Sequence, residues 1–198
     1  MRSREFISEY VIGQQPPPVV LPPNYNFMAP SSSNPAGWDP GQKVPAGWLQ
    51  AWRGDARTGN IETLPLSFNP NSMTKMLSAY KWARDHKLLP EISPETWAAL
   101  AMVEGREDFG YNGLVLDNRP QQRKFLDQVT QAGMTDYLSQ YWIAFLHEKL
   151  ATAQRLGLPF YRVWNGSSIY QSRFDAQAKA LQHPKNEPFL NWFKQQLA

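Results

Sequence analysis

Glu104 is the residue of this 198-residue chain whose setting best suits proton transfer. It ends the apolar run 97–103 and precedes Gly105, a residue type that commonly terminates helices. A helix dipole opposes a carboxylate at the C-terminus, and an apolar helix implies partial desolvation; both effects favour the protonated form of a carboxyl group. Glu104 therefore has the setting of a general acid, which glycosidic bond cleavage requires. The alternative is structural, with Glu104 pairing with Arg106 or facing solvent.

A second polar cluster lies downstream, at the turn Trp164-Asn165-Gly166 with Tyr170 and Arg173 after it. An Asn amide at such a turn can bind a sugar hydroxyl or N-acetyl group, and a tyrosine can stack on a ligand or donate to a carboxylate. The spacing between Glu104 and Asn165 is 61 residues, so only the fold can bring the two clusters together. The alternative is that Asn-Gly forms an ordinary turn without a ligand.

Helices must position both clusters, because helical periodicity dominates the chain from about residue 71. Apolar residues recur with this period from Met73 to Ala83, and the pattern ends near Leu89-Pro90. Ser93-Pro94-Glu95 predicts an N-cap and the first turn of a second helix, which stops at Gly105. Further helices are predicted over 120–132, 135–156, 169–181 and 188–197, with Lys149 and Arg155 on a solvated face. Alternating strand patterns are nearly absent, so the sequence predicts an all-α domain over 71–198.

Residues 1–70 differ in composition from the helical part. They hold eleven of the seventeen prolines. Proline lacks an amide donor and favours extended backbone, which predicts an extended proline-rich arm. The arm also carries aromatic residues that a plain linker would not need: Tyr25, Phe27, Trp38, Trp48 and Trp52. Either they dock on the chain's own helical domain, or they anchor the arm to another subunit of an assembly.

Composition argues against several classes of function. The absence of cysteine excludes a disulfide scaffold, a zinc ribbon and a thiol nucleophile. His86, His147 and His183 are too far apart to form a short-spaced metal pair, so we expect no metal and no other cofactor. A net charge of +3 is too weak for specific nucleic-acid binding. No run of about eighteen apolar residues occurs and the first ten residues lack a secretory core, so neither a membrane span nor export is expected.

Taken together, the two polar clusters resemble the lysozyme-like superfamily of peptidoglycan-cleaving enzymes, especially lytic transglycosylases and goose-type lysozymes, including copies carried in bacteriophage particles. The segment from Val103 to Asn112 is similar to the family's catalytic glutamate and the Phe/Tyr-Asn-like stretch after it. Trp164-Asn165-Gly166 with Tyr170 and Arg173 looks like the turn and helix that close the glycan cleft. The run 147–160 resembles the long helix of phage versions. The resemblance implies a lysozyme-like helical domain.

The resemblance also implies a mechanism, in which Glu104 protonates the oxygen between N-acetylmuramic acid and N-acetylglucosamine. If no other carboxylate is near, the ionised glutamate then acts as base while the muramoyl 6-hydroxyl attacks and forms an anhydro product. If one lies opposite, hydrolysis follows. Asp117 is the preferred second catalytic carboxylate, whereas Glu107 and Asp108 are expected to be solvated or to cap the loop. The substrate-binding residues would be Asn112, Trp164, Asn165, Tyr170 and Arg173.

One segment departs from the family pattern. Soluble lytic transglycosylases carry a Gly-Leu-Met-Gln-like loop, but here Asn112-Gly113-Leu114-Val115 has no glutamine after the leucine. Two functions therefore stay open. The first is a muramidase carried in a virion, which would act on peptidoglycan strands in the host periplasm and contact other virion proteins through the arm. The second is a non-catalytic structural or ejection protein of the virion that retains the fold.

Overall fold

The computed structural model describes residues 46–105 and 120–198, with side chains in the second range described from residue 124. Within these ranges the chain is mainly helical, which confirms the coarse prediction, but it also contains a small antiparallel hairpin. The all-α prediction is corrected by that hairpin. The elements are β1 Leu49–Ala51, β2 Leu66–Phe68, α1 Pro70–Asp85, α2 Pro94–Glu104, α3 Pro120–Gln131, α4 Tyr137–Leu156, α5 Phe160–Trp164, α6 Ser168–Ala180 and α7 Glu187–Leu197, with a 3-10 helix at Pro184–Asn186.

The helix ends follow local capping signals. The Ser93 hydroxyl accepts a hydrogen bond from the Thr96 N–H at 3.2 Å, which starts α2 as predicted, and Gly105 ends it with φ 59°. One end was predicted wrongly: α1 stops at Asp85 rather than near Leu89. Lys87 adopts φ 59°, a left-handed conformation that cannot continue a helix.

The hairpin changes the prediction for the described part of the proline-rich arm. Leu49 pairs with Phe68 and Ala51 with Leu66, and the side chains of Ala51, Leu66 and Phe68 are buried. Phe68 packs on Phe189 of α7, with ring centroids 5.3 Å apart. The two strands therefore pack on the helical domain and contribute to its core, rather than forming an extended arm. Residues 1–45 lie outside the described residues.

Two buried side-chain amides attach the chain after β1 to the helices. The Asn186 amide accepts from the Trp52 N–H at 2.8 Å and donates to the Trp52 carbonyl at 2.9 Å. The Gln177 amide bonds the Gly54 N–H and carbonyl in the same way, at 2.8 and 2.9 Å. We call this set of four bonds the amide clamp. It shows that Trp52, one of the two arm aromatics described, docks on the chain's own domain.

Helix α2 runs through the middle of the domain. Its residues Trp97 to Met102 are all buried, and it packs against both α6 and α7. The Trp97 ring contacts Tyr80 of α1 and Trp142 of α4, with centroids 5.1 and 6.2 Å away. Because α2 is buried from Trp97 to Met102, Glu104 at its C-terminus is the first charged residue after the buried segment. None of the helices in the described ranges is long and apolar enough to cross a membrane.

Candidate functional site

Glu104 lies half-buried at the C-terminus of α2, and its carboxyl group accepts two hydrogen bonds on one oxygen. The Trp164 Nε1–H donates to Oε1 at 3.0 Å, and the Tyr170 hydroxyl donates to the same oxygen at 2.7 Å. Trp164 is the last residue of α5, and Tyr170 lies in the first turn of α6. The fold thus brings together three of the residues selected from two distant segments.

Trp164 is held in place by aromatic rings rather than by its own helix. Helix α5 has five residues, none of them buried, and no side-chain hydrogen bond caps its start. The Trp164 ring packs edge-on against Phe145 and Trp142 of α4, at centroid distances of 5.4 and 6.0 Å, and against Phe160 at 5.5 Å. We call these four rings the aromatic cluster. It positions the indole N–H that reaches Glu104.

Tyr170 is a buried hydrogen-bond donor. Burial first, and then the charge and hydrogen bond of Glu104, raise the pKa of the Tyr170 phenol well above its usual range. The phenol therefore keeps its proton, which it donates to Oε1 of Glu104. Its backbone is fixed as well, because the Ser167 hydroxyl caps α6 by accepting from the Tyr170 N–H at 3.2 Å.

Asn165 occupies the turn between α5 and α6, where its side chain has a local task. Its Oδ1 accepts a hydrogen bond from the Ser167 N–H at 3.1 Å, so the side chain shapes the entry to α6. This contact agrees with the ordinary-turn interpretation of Asn-Gly. Because Asn165 directly follows Trp164 and shapes the turn that leads to Tyr170, it still lies beside the Glu104 site.

The remaining predicted site residues either make no described contact with Glu104 or lie outside the described ranges. Arg173 is exposed on α6, one turn after Tyr170. Asn112 and the proposed second carboxylate Asp117 lie outside the described residues, as do Arg106, Glu107 and Asp108. Their roles stay predictions. Within the described residues, no group of three or more His, Asp or Glu side chains could hold a metal ion.

Sequence reasoning missed the contribution of α4 to the site. Trp142, Phe145 and Lys149 follow a spacing of three, four and seven residues, which puts them on one helix face. That face meets α5, and the Lys149 ammonium donates to the Val163 carbonyl at 3.1 Å. The helical spacing was visible in the sequence, but α5 was not predicted as a helix. The sequence therefore did not show what this face of α4 packs against.

The chain was compared with protein-family models, with curated proteins and with solved structures, and none of the three comparisons found a match. The lysozyme-like resemblance therefore rests on the residues themselves.

Proposed function

We propose that this protein is a muramidase that cleaves the glycan strands of peptidoglycan, with Glu104 as the proton donor. One observation carries the proposal: Trp164 and Tyr170 both donate to Oε1 of Glu104, at 3.0 and 2.7 Å. An aligned carboxyl group at the end of a buried helix is a suitable general acid for a glycosidic oxygen. The resemblance to lysozyme-like enzymes links the same three residues to this chemistry.

The two donors give the carboxyl oxygens of Glu104 different roles. With Oε1 accepting from the indole and the phenol, the transferable proton would sit on Oε2 and leave for the bridging sugar oxygen. Both hydrogen bonds then strengthen, since donors bind a carboxylate more tightly than a neutral acid. These bonds stabilise the ionised Glu104, which would then act as the base, either toward the muramoyl 6-hydroxyl or toward water.

The second carboxylate decides between these two outcomes. Asp117 is the proposed partner, and its separation from Glu104 sets the reaction: a gap of ~6.5–9.5 Å leaves room for a water, whereas ~5–5.5 Å suits a covalent intermediate. Without a partner, the product is the anhydro sugar. Asn112, Asn165 and Arg173 are proposed to bind the glycan around the acid.

A bacteriophage particle is the proposed setting. In this proposal the first 45 residues contact other virion proteins, and the helical domain reaches peptidoglycan in the host periplasm.

A second function uses the same geometry without catalysis. Hydrogen bonds from α5 and α6 to the end of α2 also fasten three helices together, which a structural or ejection protein of the virion would need. The two functions differ in whether the Glu104 carboxyl group must transfer a proton or only accept hydrogen bonds.

A lysis assay separates them. Turbidity loss is followed on chloroform-permeabilised Gram-negative cells for the wild type, for Glu104→Gln and for a control, Glu91→Gln, which changes an exposed glutamate between α1 and α2. We expect lysis by the wild type and the control, and a loss of at least ~100-fold in Glu104→Gln because the amide is not acidic enough to protonate a glycosidic oxygen. Circular dichroism checks that all three proteins fold.

Each contrary result has a distinct meaning. An inactive, folded wild type contradicts the enzyme and favours the structural protein. Equal lysis by Glu104→Gln contradicts the assignment of Glu104. Mass spectrometry of the released muropeptides distinguishes anhydro from reducing ends, and Asp117→Asn should abolish reducing products if Asp117 is the second carboxylate.

A further inference from the structure

Helix α5 has too little structure of its own to fix the Trp164 indole on Glu104. A five-residue helix is far below the length at which helices are stable in isolation. Ring packing orients the Trp164 side chain, but edge-on aromatic contacts permit sliding along the ring faces. The hydrogen bond from Nε1 to Glu104 requires a fixed backbone as well. A directional contact to the α5 backbone is therefore needed.

Lys149 of α4 supplies such a contact. Its Nζ donates to the carbonyl oxygen of Val163 at 3.1 Å, and Val163 directly precedes Trp164. This carbonyl lies in the last turn of α5, where backbone oxygens lack partners within the helix and where a cation is favoured by the helix dipole. The bond therefore stabilises the one turn of α5 that carries Trp164.

Lys149 is also held in position itself. It is half-buried, and its Nζ lies 5.5 Å from the centroid of the Phe145 ring, four residues earlier on α4. The same Phe145 ring packs at 87° against Trp164, at 5.4 Å. One face of α4 thus contacts both the backbone before Trp164 and the Trp164 ring.

We propose that Lys149 is a positioning residue for the Glu104 site, acting through the Val163 carbonyl to set the Trp164 indole N–H on Oε1 of Glu104. The catalytic consequence rests on the proposed function, but the structural link does not. Lys149 touches neither the carboxyl group nor the sugar in this proposal, so its removal should loosen the donor without removing it.

The test observes the indole N–H directly. The eight tryptophans are labelled with 15N, and the Trp164 indole signal is assigned from its absence in Trp164→Phe. In the wild type this signal should lie away from the position of a free indole, and Glu104→Ala should move it there because the variant removes the acceptor. In Lys149→Met we expect the signal to move toward the same free position although Glu104 is intact. Lys149→Arg, which keeps a cationic donor, should restore the wild-type position.

Controls separate positioning from general packing. Lys75→Met, an exposed lysine on α1, should leave the Trp164 signal unchanged. If Lys149→Met also displaces the indole signal of Trp192, which packs on Phe193 of α7 and lies outside the aromatic cluster, the lysine supports packing in general and the inference is overturned. An unchanged Trp164 signal in Lys149→Met also overturns it, as does a failure of Lys149→Arg to restore the wild-type position.

The lysis assay runs in parallel and keeps the two proposals apart. Lys149→Met should lower the lysis rate about tenfold, less than Glu104→Gln, because a misplaced donor weakens the aligned site without abolishing the acid. If the wild type does not lyse cells but the indole signal behaves as expected, the muramidase proposal fails and the positioning link holds. If the wild type lyses cells but the Trp164 indole signal is unchanged in Lys149→Met, the positioning role of Lys149 is contradicted and the muramidase proposal is not.

Discussion

The segment Trp52–Gly54 and the helix α5 are both short and both fixed by distant residues, but by different kinds of contact. The amide clamp bonds the backbone N–H and carbonyl groups of Trp52 and Gly54 directly. The aromatic cluster instead surrounds a side chain, Trp164, and the backbone of α5 has the Lys149 bond beside it. The amide clamp thus fixes the position of the backbone. The aromatic cluster fixes the Trp164 side chain, and the backbone that carries it is less tightly held.

This difference indicates what each region is suited for. Buried, directional hydrogen bonds to backbone groups allow little displacement, because any shift leaves a desolvated polar group without a partner. Ring contacts lose less when they slide, since their energy is spread over many weak atom pairs. The clamp therefore suits a permanent attachment, and the cluster suits a site that must accommodate a ligand. Two predictions test this contrast directly, and a third extends it to another ring contact of α4.

Removing the Asn186 amide should have the largest effect on stability. Asn186→Ala leaves the half-buried Trp52 N–H and carbonyl without their partner, and it leaves the Ala180 carbonyl with the His183 N–H alone. We expect the free energy of unfolding to fall by about 3 kcal/mol, measured by urea denaturation. Asn191→Ala, at an exposed position of α7, is the control and should change it by no more than about 0.5 kcal/mol. A loss below about 1 kcal/mol for Asn186→Ala would mean that the clamp is no more rigid than the cluster.

Replacing a glycine by alanine should lower the free energy of unfolding by an intermediate amount at the clamp and should not lower it beside the aromatic cluster. A Cβ at Gly54 would lie 2.5 Å from the Ala176 carbonyl oxygen, so the clamped backbone has to move away from α6. A Cβ at Gly166, in the turn between α5 and α6, meets no described atom within 4 Å. We expect Gly54→Ala to cost about 2 kcal/mol of unfolding free energy and Gly166→Ala to be neutral or slightly stabilising. Equal costs in the same denaturation assay would contradict the contrast.

The smallest expected effect is a loss of stability in acid, which we assign to another ring contact of α4, that of His147. The His147 ring stacks on Phe125 of α3 at 3.7 Å, and burial lowers the pKa of His147 below its ordinary value of 6.5, partly opposed by the Glu148 charge. Below pH 6.5 the unfolded chain therefore binds more protons than the folded one, so this part of the stability is present above 6.5 and is lost as the pH falls.

The corresponding variant is His147→Phe, which keeps a ring on Phe125 but cannot titrate. Unfolding free energies measured at about pH 7.5 and about pH 5.5 should fall less steeply with acid in His147→Phe than in the wild type. Other ionisable groups contribute to both slopes alike, so the difference belongs to His147. Parallel slopes would show that this ring contact is insensitive to charge.

The sequence predicted the helices well because their signals are local. Ser93, Gly105 and Gly157 set helix ends through their own backbone and side-chain bonds, and these ends appear as expected. The hairpin was missed since its strands have three residues each, too short for an alternating pattern, and because the surrounding prolines indicated an arm. Helix α5 was missed for a similar reason: it depends on contacts with α4 that no local pattern records.

The site was predictable only in part. Glu104 followed from the end of an apolar helix, and Trp164 and Tyr170 from the polar turn and then the family resemblance. Their meeting on one oxygen required the fold. Lys149 was expected on a solvated face, since a lysine late in a long helix is usually exposed. Its bond to Val163 depends on α5 lying across α4, which is a tertiary fact.

The amide clamp also has a mechanical consequence. A pull on the chain at residue 46 is carried by β1 to Trp52 and Gly54, and from there the Asn186 and Gln177 side chains transmit it to the 3-10 helix and to α6. Helix α6 carries Tyr170 two turns before Gln177, so the load path runs along the helix that holds the Glu104 carboxyl group. Tension at the N-terminal side of the domain would therefore reach the helix of Tyr170 through the two hydrogen bonds between Gly54 and Gln177.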